Sequence, residues 1–138
     1  DPVPGLVISY SFLWSHEQDA GALEGRKDRP CAIVVATQEE GSAATIVVVA
    51  PISHQVPADE RLAVAIPPVV RQHLGLDAAP CWAVCSELNR FIWPGFDLRP
   101  VPGRPERFDY GMLPKSLFEI LRRRILDLDA ALRSLTPR

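Results

Sequence analysis

Proline decides most of what this chain can become. Fourteen prolines and eight glycines are spread over its 138 residues. Each proline fixes φ and removes a backbone donor, so the pattern favours short strands and many turns over long helices. Between the prolines, apolar and β-branched runs recur. "GLVISYSFLW" (5–14), "RPCAIVVAT" (29–37), "ATIVVVAPI" (44–52), "LAVAIP" (62–67) and "CWAVCSELNRFIW" (81–93) each read as a strand. The second and third, joined by "QEEGSA", predict a hairpin. In the fifth, alternation puts Cys81, Ala83 and Cys85 on one face and Trp82 and Val84 on the other.

Two segments carry helical signals. "PPVVRQHLGL" predicts one or two turns, opened by proline and closed at Gly75. Residues 115–134 predict the one long helix, with Leu117, Ile120, Leu121, Ile125, Leu128, Ala131, Leu132 and Leu135 on one stripe. Ser116 and Glu119 fit a capping box that starts this helix or lies just inside Pro114. Arg122, Arg123 and Arg124 read as its solvated face. The connectors are a polar stretch at 15–28 and a Pro/Gly-rich arm, "PGFDLRPVPGRPERFDYG", at 94–111. Loops as long as the first are usually functional or disordered. The sum is a single domain over 1–138, mainly β (α+β): a small β-barrel or α+β fold with a short helix and a C-terminal α-helix.

Composition removes several function classes. A hydrophobic fraction of 47% and a charged fraction of 23% suit a soluble protein. Every apolar run falls short of the roughly 20 residues a bilayer helix needs, so no membrane partner is expected. "DPVPG" has neither a basic leader pattern nor a methionine, which suggests a trimmed start without a signal peptide. Net charge is −2, so an anionic ligand would need a local cluster of arginines. Cys31, Cys81 and Cys85 form no C-x-x-C pair and sit in apolar segments. They predict buried free thiols in a reducing cytoplasm, with no disulfide, metal site or cofactor.

Polar residues gather where strands begin and end. Arg29 opens one strand, with Pro30 fixing φ behind it, and Ser53 and His54 close the next. Glu87, Asn89 and Arg90 lie in "SELNR", and His16 with Glu17 begins the 15–28 segment. Pairing of these strands would assemble two arginines, a hydroxyl, a carboxylate and an imidazole. Metal-free RNA cleavage needs such a set: a base for the 2′-hydroxyl proton, an acid for the leaving oxygen, and fixed positive charge at the phosphorane. Arginine supplies that charge with a planar fork that matches phosphate oxygens. An ion pair of Arg29 with Glu87 or Glu24 accounts for the same residues equally well.

The ordered series "PGLVI" (4–8), "HEQ" (16–18), "RP" before an apolar strand (29–36), "VVVAPIS" (47–53), "SELNRFIW" (86–93) and "LPKSLFEILRRRI" (113–125) resembles the PemK/MazF-type toxins of bacterial type II toxin–antitoxin systems. The resemblance implies an SH3-like β-barrel, usually a homodimer, that cleaves single-stranded RNA without metal to leave a 2′,3′-cyclic phosphate. It also implies a cognate antitoxin protein that covers the RNA groove. Matched position by position, Arg29 would hold the scissile phosphate and Ser53 would be its hydroxyl partner, in place of the family's threonine. His16 and Glu87 would be the acid–base pair, in unassigned order. Arg26, His54 and Arg90 would bind RNA. Two other classes stay open: a degenerate barrel that binds RNA or a protein without cleavage, and a CcdB-like toxin acting on gyrase.

Overall fold

The fold is organised by its most apolar hairpin. In the computed structural model, which describes residues 1–19, 27–128 and 131–138, β2 (Asp28–Gln38) and β3 (Thr45–Ser53) pair antiparallel from Cys31↔Pro51 to Gln38↔Thr45. A register shift between Ile33 and Val35 inserts one residue into β2, and Val35 just past it is exposed. β1 (Leu6–Ser11) pairs with the outer edge of β2, and β7 (Asp109–Met112) pairs with β1.

The inner edge of β3 is shared. Its first half pairs with β6 (Glu87–Ile92) and its last residues with β5 (Trp82–Val84), which also pairs with β4 (Ala63–Ala65). Residues 81–93 are therefore two strands and not one. The break falls at Cys85–Ser86, where the Cys85 N–H donates to Leu62 O at 2.7 Å. The expected face alternation does hold: Cys81, Ala83 and Cys85 are buried and Trp82 and Val84 are half-buried.

Helix α2 (Pro68–Leu74) ends as expected at Gly75, which adopts φ +71° as its left-handed cap. Helix α3 (Lys115–Asp127) starts at an N-cap Pro114 that makes no side-chain cap bond, so Ser116 and Glu119 lie inside the helix. It buries Leu117, Leu121 and Ile125 but not Ile120, and Leu128 at its C-cap is buried too. The helix does not reach residue 134. Ser134–Pro137 form β8, parallel to β6 in the register Glu87↔Ser134 to Arg90↔Pro137, and Leu135 is half exposed instead of joining the stripe. An open strand edge offers a row of backbone partners that helical periodicity does not reveal. The 15–28 stretch also departs from the expected loop: it begins with a short helix, α1 (Ser15–Asp19).

Among the described residues the sheet has eight strands and is mainly antiparallel, and its ladder stays open. Two apolar clusters occupy its faces. One lies under α2 and α3. The other joins Ile8, Tyr10 and Phe12 to Cys31, Ile33, Val47, Val49 and Phe91, with Tyr10 stacked on Phe91 at 4.7 Å. Side chains span the gap between β1 and β6. The buried Asn89 amide accepts from Leu13 N (2.9 Å) and donates to Leu13 O (2.7 Å), the exchange a neighbouring strand would make. Arg138 completes the span by donating to Ser11 O and Asn89 Oδ1 while pairing with Asp97 at 2.8 Å. No described helix is long and apolar enough to cross a membrane.

Candidate active site

Strand register alone brings the main candidates together. Cys31 sits opposite Pro51, so Arg29 and Ser53, each two residues further out, share one face and one end of the hairpin. On β6, Asn89 faces Val49, which places Glu87 two residues on, on that same face beside Pro51. Arg90 falls on the opposite face by the same alternation, exposed and outside the cleft. Arg26 lies outside the described residues.

A cleft of about 1020 Å³ opens at this end, lined by Arg29, Ser53, His54, Glu87 and His16 among others. Helix α1 contributes His16 and Glu17 to its wall, and local bonds fix it there. Glu17 reaches back to Trp14 N (3.1 Å) while its own N–H donates to Trp14 O (3.0 Å). Glu87 then accepts from both Ser15 N (2.9 Å) and Ser15 Oγ (2.6 Å). The alternative ion pair of Arg29 with Glu87 is not formed, and Ser15 holds that carboxylate; Glu24, the other alternative partner, lies outside the described residues. A carboxylate has about four acceptor sites, so two remain for a substrate proton.

Arg29 is held differently. Its guanidinium stacks over the Trp14 ring at 5.1 Å, and its buried Nε has no hydrogen-bond partner. A buried guanidinium donor without an acceptor is costly, and an anion in the cleft would remove that cost. The Ser53 oxygen accepts from Gln55 N (3.1 Å), a strand-end turn that leaves its proton free to donate. His54 bridges outward to Pro80 O (2.9 Å) and Asp77 Oδ2 (3.1 Å), tying two rim loops together. His16 is exposed on α1.

The other carboxylates of the cleft are likewise occupied. Asp28 faces Arg99 at 3.7 Å and Asp109 faces Arg107 at 3.0 Å. Burial raises the Tyr110 phenol and the Cys81 thiol above their ordinary values, so both stay neutral donors in the wall. Cys31, Cys81 and Cys85 are free and buried. Among the described residues, no three His, Cys, Asp or Glu side chains are grouped to hold a metal ion.

Sequence reasoning missed Trp14 as the platform for Arg29 and Ser15 as the partner of Glu87. It also passed over Lys27 and Arg104, which line the cleft. The one available signal was local: "KDRP" sets Lys27 two residues before Arg29. In comparisons with known proteins, the chain matches no family model and no curated protein.

Proposed function

We propose that this chain is a metal-independent endoribonuclease acting on single-stranded RNA, the toxin of a toxin–antitoxin pair, built on an SH3-like barrel whose closure between β1 and β6 is completed by side chains. The observation that carries the reading is Arg29: a guanidinium pre-stacked on Trp14, with an unpaired buried Nε, in a cleft shared with Ser53, His16 and Glu87. The 2′-oxygen attacks phosphorus as one of His16 and Glu87 takes its proton. The other protonates the departing 5′-oxygen, leaving a 2′,3′-cyclic phosphate and a 5′-hydroxyl. Arg29 neutralises the growing phosphorane charge and Ser53 donates to a non-bridging oxygen. A homodimer and an antitoxin that covers the cleft belong to the same reading.

The purified chain should cleave RNA in EDTA, and Arg29→Ala should lower the rate by about 10²–10³, as loss of one charge-stabilising donor does elsewhere. RNA left intact by the native protein, with or without magnesium, would overturn this. One observation favours the non-cleaving alternative: Glu87 and Ser53 both already serve protein donors. Binding without cleavage in the same assay would establish that reading instead.

A further inference from the structure

The cleft's charges are unevenly committed. Its five carboxylates, Glu17, Asp28, Asp77, Glu87 and Asp109, all accept from or pair with protein donors. Its cations are not so engaged. Among the described residues, the Lys27 and Arg104 side chains have no hydrogen bond or ion pair, and Arg29 has only its ring contact. Lys27, Arg29 and Arg104 thus bring three uncommitted cations to one cleft of a chain whose net charge is −2.

Arg104 stands on a built support. Arg104 N donates to Val101 O (2.9 Å), Val101 N to Arg107 O (2.7 Å) and Arg107 N to Arg104 O (3.0 Å). Gly103 supplies the φ of +79° that this tight turn requires. The turn is anchored beside Arg29. Ser9, the register partner of Pro30, donates from N to Phe108 O and accepts at O from Arg99 N, both at 2.8 Å. Lys27 lines the same cleft two residues before Arg29, just ahead of β2.

We propose that Lys27 and Arg104 hold the phosphates on either side of the one at Arg29, so that the cleft takes a run of about three phosphates of single-stranded RNA, not a mononucleotide. This rests on the ribonuclease reading of Arg29 and adds the length of substrate that is gripped. Ordering a turn around an arginine whose side chain meets no acceptor among the described residues gives the arm a binding role.

The test uses a labelled 2′-O-methyl oligouridylate, which lacks the nucleophile and stays intact. Each phosphate neutralised on a single strand contributes about 0.7 to the slope of log affinity against log salt, so three give about 2. Lys27→Ala and Arg104→Ala should each reduce the slope by about 0.7, and the double variant by about 1.4. Both side chains are exposed, so the variants should keep the native circular dichroism spectrum. Arg122→Ala, on the exposed face of α3, should leave the slope unchanged. An unchanged slope in the double variant, or a dinucleotide binding as tightly as the oligomer, overturns the inference while Arg29→Ala still slows cleavage as above. If Arg29→Ala keeps full cleavage, the ribonuclease reading of the site falls first.

Discussion

Two arginines, each over an aromatic ring, show how the same side chain serves structure in one place and a site in another. Arg138 lies over the Tyr10 ring at 5.5 Å and Arg29 over the Trp14 ring at 5.1 Å. Arg138 is 3% exposed and binds Ser11 O, Asn89 Oδ1 and Asp97. Arg29 borders open space with its Nε unpaired. A satisfied buried charge resists unfolding, whereas an unsatisfied one at a cleft is poised for a ligand. The difference is in the acceptors around each group, not in the arginines.

The sharpest break of that comparison is Arg138→Ala. It strands Asp97 and removes a donor from Asn89, and the expected loss of stability is about 3–5 kcal/mol. Urea unfolding reads this directly, and a loss near zero would show that Arg138 is not the clamp between β1 and β6. Arg29→Ala should behave in the opposite way. Cleavage falls by about 10²–10³, while stability changes by no more than the roughly 0.5–2 kcal/mol of its ring contact. Large destabilisation by that variant would make Arg29 a second structural arginine.

A further effect, small within any one pH unit, comes from the core beneath the helices. Burial pushes the Cys85 thiol from 9.0 up to about 12. Above pH 9.0 the unfolded chain releases this proton while the folded chain keeps it, so stability is full below that pH and is lost as pH rises towards about 12. Cys85→Ala should therefore flatten the alkaline fall in unfolding free energy by about 1.4 kcal/mol per pH unit. Urea midpoints of the two proteins across that window would measure it. Parallel curves would mean that the thiol ionises alike in both states.

Much of the molecule was legible because its signals are local. The β2–β3 hairpin followed from β-branched runs around "QEEGSA", and α2 from Pro68 and Gly75. Arg29 was visible as a charge placed at the start of a core strand. The end of α3 was not legible, since Leu132 and Leu135 extend a helical stripe that gives way to β8. Nothing within 115–138 says that the edge of β6 is open. Asn89 looked like one polar residue among several in "SELNR", yet it spans the gap to Leu13. Glu87 was read as a partner for Arg29 or a catalytic group, and its bonds to Ser15 follow only from α1 lying across the strand end.

By itself the sequence determined a mainly β domain of short strands, its central hairpin, its buried thiols and the arginine at the strand start. Proline placement, alternation and apolar runs act over a few residues, so they need no partner to be read. Tertiary structure alone decided which charges are compensated: Arg138 closed in among acceptors, and Lys27, Arg29 and Arg104 left facing one cleft. Compensation depends on distances between residues far apart in the chain, and those exist only once the strands have paired.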